Sequence, residues 1–85
     1  MAQIHDLKIL PEYYDAVDKG VKTYELRFDD RNYAVGDMLI LREWENGQYT
    51  GKRLTAKITH ILKDFVGLTD GWAVLSIKKM EGKKC

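Results

Sequence analysis

The segment Gly20-Val21-Lys22-Thr23-Tyr24-Glu25-Leu26-Arg27 brings a lysine, a carboxylate and a guanidinium close together along the chain. Glu25 and Arg27 have the two-residue spacing that shares one face of a β-strand. A carboxylate held between cations can accept a hydrogen bond from the edge of a base or orient a water. Lys22 and Arg27 can engage phosphate or polarise a carbonyl. The plainer alternative is a Glu25 and Arg27 pair on a solvated strand face, where charge is common.

A second group of candidates surrounds Asn46-Gly47, a strong short hairpin signal. With a two-residue turn there, Trp44 faces Tyr49 and Arg42 faces Gly51, so Arg42, Trp44, Tyr49, Arg53 and Lys57 lie on or near one surface. Aromatics interleaved with cations make a stacking platform for unpaired bases, with phosphate contacts at its edge. The same residues also suit a cross-strand pair that stabilises the hairpin, with the basic side chains maintaining solubility. A bulge near Gly51 would break this register.

Other chemistries lack their residues. His5 and His60 are the only histidines and have no His-x-x-x-His spacing, so neither a metal site nor a cofactor is predicted. The single cysteine, Cys85, allows no intramolecular disulfide and no cysteine cage, and is expected to be an exposed, inert thiol. Ser76, the sole serine, lies inside an apolar strand pattern rather than on a nucleophile elbow. Gly36, Gly47 and Gly51 are isolated and form no phosphate-cradling loop.

The elements that must position these residues follow from periodicity. His5, Leu7 and Ile9 alternate with Asp6 and Lys8, which predicts a first strand. Pro11 opens a helix over 11–19 in which Leu10, Tyr13, Tyr14 and Val17 share the apolar stripe, and Gly20 caps its end. Lys22 to Phe28 is a second strand, with Tyr24, Leu26 and Phe28 on one side and Thr23, Glu25 and Arg27 on the other. Val35-Gly36-Asp37 leads into a third strand from Met38 to Trp44. In a fourth, Leu54, Ala56, Ile58, His60 and Leu62 share the apolar side, which makes His60 a core or rim residue. Trp72 to Ile77 is apolar on both sides and is expected to be central. The order β-α-β-β-β-β predicts an α+β, mostly β fold: an open barrel of about five strands with the helix plugging one end.

At 85 residues and 9.9 kDa the chain makes one domain, read here as residues 4–78 followed by a disordered basic tail over 79–85. It is 45% hydrophobic and 32% charged with a net charge of +1, a globular balance with no global field toward nucleic acid or membrane. No apolar run is long enough to span a bilayer and no signal-peptide pattern is present, so a cytoplasmic chain without membrane partners is expected.

Gly20-x-Lys22-x-x-Glu25-x-Arg27 after a short helix resembles the signature of ASCH domains, small PUA-like β-barrels proposed to bind RNA. His5-x-Leu7-Lys8-Ile9, Val35-Gly36-Asp37, Leu41-Arg42-Glu43-Trp44, Tyr49-Thr50-Gly51 and the segment 71–77 further resemble a bacterial and phage branch known only as a domain of unknown function. The likeness spans nearly all of residues 4–78. It implies a PUA-like barrel whose cleft between helix and barrel carries Lys22, Glu25 and Arg27. Some ASCH proteins are amidohydrolases of acetylated cytidine that use the motif lysine, a threonine three residues later and a glutamate from a further helical segment. Here Glu25 stands at the threonine position, and no second helix is predicted between the fourth and fifth strands.

Two functions follow as expectations. The first is a module that binds single-stranded RNA or a nucleotide. Lys22 and Arg27 would contact phosphate or a base carbonyl, Glu25 would accept from an exocyclic amine, and Lys8, Arg42, Trp44, Tyr49 and Arg53 would extend the track. The alternative is a small hydrolase of a modified nucleoside such as an acylated cytidine, with Lys22 and Glu25 as proton-transfer or water-activating groups. The even charge balance also suits a protein-interaction domain.

Overall fold

The computed structural model describes residues 2–80. Its elements are β1 (Ile4–Ile9), α1 (Pro11–Asp18), β2 (Tyr24–Phe28), β3 (Met38–Glu45), β4 (Gln48–Lys63) and β5 (Trp72–Met80). The strands form one sheet in the order β1-β3-β4-β5-β2, so the two strands that flank the helix in sequence are the two edges in space. β1 pairs with β3 in parallel, and the other neighbours are antiparallel. The sheet curls until its edges approach. Arg27 of β2 donates from Nη2 to the Lys8 carbonyl of β1 at 2.5 Å, and Arg31 donates from Nη1 to the Asp6 carbonyl at 3.2 Å. Two guanidiniums thus cap edge carbonyls that no strand covers.

The concave side carries the core. Leu7, Ile9, Leu39, Leu41, Leu54, Ala56, Ile58, Ala73, Leu75 and Ile77 converge from β1, β3, β4 and β5, joined by Val17 and Tyr33. Helix α1 starts at Pro11, whose missing N–H costs nothing in the first turn, and it buries Val17 completely with Tyr14 packed beside it. Only part of the expected apolar stripe is used, because an eight-residue helix covers a small area of the barrel mouth. Leu10 and Tyr13 remain about half exposed and turn toward β2.

Three details depart from simple alternation. In β4 the register shifts between Ile58 and His60, so the inward positions run Leu54, Ala56, Ile58 and then Ile61. His60 is therefore exposed and not part of the core. In the hairpin, Trp44 pairs with Tyr49 across a turn in which Asn46 and Gly47 both have positive φ, as the sequence predicts. A bulge follows, in which Thr50, Gly51 and Lys52 stand against Glu43, so Arg42 opposes Arg53 and not Gly51. Lastly, β5 continues through Lys79 and Met80, which were expected in the tail; they pair with Ala56 and Thr55, and Lys79 Nζ reaches Asp18 at 2.6 Å. The remainder of the expected tail, with Cys85, lies outside the described residues.

Asp37 anchors the start of β3. Its carboxylate accepts from the Gln3 amide at 3.0 Å, from the Ala34 amide at 3.0 Å and from His5 Nε2 at 2.8 Å, and His5 in turn packs edge-on against Tyr33. A carboxylate can only accept, so the shared proton lies on Nε2 of the imidazole. Burial pushes the Asp37 carboxyl up, but the Gln3, His5 and Ala34 hydrogen bonds outweigh it and hold the group below the ordinary 3.8. A depressed folded value means that its stabilisation is complete above the unfolded value. It is lost as pH falls through the lower folded one. Urea midpoints of the wild type should therefore drop as pH is lowered through and below 3.8. Asp37→Ala, which leaves two amides and an imidazole unpaired, should cost about 2–4 kcal/mol at pH 7.

Candidate nucleic-acid interface

The chemistry-bearing segment is set by the end of α1. Gly20 takes φ +78°, and the N–H groups of Val21 and Lys22 both return to the Ala16 carbonyl at 2.9 and 3.0 Å. The chain then enters β2 with its alternation facing opposite to its polarity. Glu25 points into the barrel and is 5% exposed, Arg27 lies beside it, and Tyr24, Leu26 and Phe28 face outward. The solvated-face reading of Glu25 is thus overturned. A buried carboxylate requires compensating charge, and Glu25 has two cations: Lys22 Nζ is 2.5 Å from Oε1 and Arg27 Nε is 3.0 Å from Oε2.

These contacts also fix the cations. Lys22 Nζ donates to the Tyr24 carbonyl as well and lies between the Tyr24 ring at 4.6 Å and the Tyr13 ring at 5.9 Å. Arg27 spans the seam from Glu25 to the Lys8 carbonyl. Among the described residues no partner occupies its Nη1. Two adjoining depressions of about 300 and 290 Å³ open here. Tyr13, Lys22, Tyr24, Glu25 and Leu26 line the first; Lys8, Leu10, Arg27 and Trp72 extend the second. The expected cleft between helix and barrel is therefore present. Sequence reasoning missed Tyr13 and Trp72, since Tyr13 was assigned to the helix core stripe and Trp72 to a central strand.

The second constellation lies on the convex face of β3 and β4 and is continuous with the first through Lys8. Its Nζ stands 4.0 Å over the Trp44 ring. Trp44 meets Tyr49 edge-on at 4.9 Å, and the Arg42 guanidinium lies 3.9 Å over Tyr49. Asp6 tethers Arg42 at 3.6 Å. Arg53, opposite Arg42, borders a small depression with Tyr49, Gly51 and Lys52. Beneath the hairpin, buried Glu43 accepts from the Thr50 hydroxyl at 2.7 Å, which holds the bulge that presents Tyr49. Lys22, Glu25, Arg27, Lys8, Trp44, Tyr49 and Arg42 thus form one chain of contacts, with Arg53 at its end.

Among the described residues no group of three or more His, Cys, Asp or Glu side chains is placed to hold a metal ion. No helix there is long and apolar enough to cross a membrane.

Residues 4–77 match the family described as Domain of unknown function (DUF3850), and the chain belongs to that family. A protein of Escherichia phage P2, described as an uncharacterized 12.9 kDa protein in the GpA 3' region, is 44% identical over 72 residues. That similarity covers 78% of this chain and 66% of the phage protein, just under two thirds of its length.

The clamp has a measurable consequence. Glu25→Gln keeps the shape but leaves Lys22 and Arg27 facing each other without their counter-ion, and should lower stability by about 1–3 kcal/mol in urea unfolding. A change within about 0.3 kcal/mol would place Glu25 among ordinary surface pairs.

Proposed function

We propose that this member of the DUF3850 family is a binding module for single-stranded RNA, or a nucleotide within it, engaged along the track from Lys22 to Arg42. The observation that carries this reading is the junction at Lys8, whose carbonyl holds Arg27 and whose ammonium covers Trp44. The cleft and the aromatic hairpin are therefore one surface. Along it, Lys22, Arg27, Lys8 and Arg42 alternate with the rings of Tyr13, Tyr24, Trp72, Trp44 and Tyr49. Phosphates would meet the cations and unstacked bases would lie on the rings, a combination that suits a single strand better than a duplex.

Glu25 has a different part from the one its type suggests. Both of its oxygens already hold cations, so it serves as a positioning residue that orients Lys22 and Arg27 and does not itself accept from a base. The same occupancy favours binding over hydrolysis, because a carboxylate engaged this way is poorly placed to activate water. The β4–β5 connection contains turns and bends but no helix from which a further catalytic glutamate could come. The resemblance to ASCH domains points to the same cleft and the same class of ligand.

The test is salt dependence. Each phosphate neutralised on a single strand adds about 0.7 to the slope of log K against log salt, so three or four contacts give a slope of roughly −2 to −3. Arg27→Ala or Arg42→Ala should each flatten the slope by about 0.7. Fluorescence anisotropy with a labelled oligoribonucleotide provides the measurement. Affinity that is unchanged between low and moderate salt, or turnover of an acetylated nucleoside by the protein, would count against the proposal.

A further inference from the structure

Arg42 and Arg53 are direct partners across the antiparallel β3–β4 pair, and Lys8 stands beside Arg42 across the parallel β1–β3 pair. Three cations thus share one row of the convex face, although like charges directly opposite each other on neighbouring strands repel and destabilise the pair. The bulge creates this arrangement. With Thr50, Gly51 and Lys52 set against Glu43, Arg53 comes level with Arg42, and Gly51 and Lys52 join them around a depression of about 140 Å³ that the Tyr49 ring also lines. Buried Glu43 holds the bulge through the Thr50 hydroxyl at 2.7 Å, and the Lys52 amide donates to the same oxygen at 3.3 Å. No carboxylate lines the depression. Asp6 lies 3.6 Å from Arg42, beyond hydrogen-bond reach, and among the described residues neither Lys52 nor Arg53 has an ion-pair partner. Lys22 and Arg27, by contrast, share Glu25.

We infer that this depression receives a terminal phosphate, so that the strand bound along the track is one with a phosphorylated end. The inference rests on the RNA-binding reading and narrows its ligand class. Size is the first argument. The volume of about 140 Å³ is roughly that of four or five waters, which suits a phosphate group and not a nucleoside, whereas the clefts beside Glu25 have about twice the room. Charge is the second. A phosphate monoester carries about −1.5 to −2 at neutral pH where a bridging diester carries about −1, and three convergent cations match the larger charge. Each guanidinium can present paired N–H donors to phosphate oxygens, and Lys52 adds a point charge. Place is the third. Beyond Arg53 the neighbouring depression holds Asp18, already paired with Lys79 at 2.6 Å, so the path of cations and rings does not continue that way. On the near side the Trp44 and Tyr49 rings would take the last base. A 5′-phosphate and a 3′-phosphate offer the same group, and the test separates them.

Competition against one labelled oligoribonucleotide compares the same short strand carrying a 5′-phosphate, a 3′-phosphate or hydroxyls at both ends. One phosphorylated form should bind at least about fivefold more tightly than the hydroxyl form. Lys52 and Arg53 are exposed, so Lys52→Ala and Arg53→Ala should keep the native circular dichroism. Each should bring the ratio to within about twofold of unity, whatever it does to the affinity of the hydroxyl form. Lys57→Ala, on the same strand but outside the depression, should leave the ratio unchanged. In ¹⁵N spectra the Gly51 and Lys52 amides should move with the preferred phosphorylated strand and stay in place with the hydroxyl one. A smaller ratio for both phosphorylated forms, or a preference that Arg53→Ala leaves intact, overturns the inference; hydroxyl-ended RNA that still binds with the expected salt slope would then leave the RNA-binding reading standing. If none of the three strands binds, both fall.

Discussion

A carboxylate buried on an edge strand, held between two cations from its own neighbourhood, is the interaction on which the arrangement depends. Glu25 cannot enter the barrel without charge compensation, and Lys22 and Arg27 supply it from three residues before and two residues after. Their engagement fixes the facing of β2, since a slip of one residue would exchange every inward side chain for an outward one. It also aims Arg27 across the seam at the Lys8 carbonyl, which draws the two edges of the curled sheet together. One ion cluster therefore closes the barrel, forms the floor of the cleft and leaves the apolar side of β2 outside.

Much of this fold was legible in the sequence because the period-two alternation of β1, β3, β4 and β5 matches burial directly. His5, Leu7 and Ile9, then Leu39 and Leu41, then Leu54, Ala56 and Ile58, all point inward as alternation requires. The tight turn at Asn46-Gly47 was equally clear, because both positions need positive φ. What escaped was whatever tertiary charge decides, together with the bulge in β4 near His60 and the length of the one foreseen near Gly51. Alternation in β2 shows that Glu25 and Arg27 share a face, but hydrophobicity assigns that face to water; only the convergence of Lys22 and Arg27 reverses the assignment. His60 and Arg42 were misplaced for another reason: one extra residue at Thr59, and two extra within Thr50 to Lys52, shift the register, and although Gly51 marks the second bulge nothing in the sequence specifies how many residues it holds.

The candidate site shows the same division. Local spacing identified Lys22, Glu25 and Arg27, and the hairpin turn identified Trp44 and Tyr49. Their union through Lys8 needs the parallel pairing of β1 with β3, which brings Lys8 opposite Arg42 and next to Trp44. That pairing joins segments more than thirty residues apart and has no local signature. Tyr13 and Trp72 join the site for a similar reason, since a helix too short to bury its whole stripe leaves one aromatic at the cleft. The result is a cationic and aromatic path that winds from the concave mouth to the convex face, built on strands and with side chains that already hold one another in place.

The most direct test is a ¹⁵N chemical-shift titration with a short single-stranded oligoribonucleotide. The account predicts that amides of Gly20 to Arg27, of Lys8 and of Trp44 to Tyr49 move together with one apparent affinity, because the cleft and the hairpin are one surface. Shifts confined to either patch, or two patches titrating with different affinities, would contradict it.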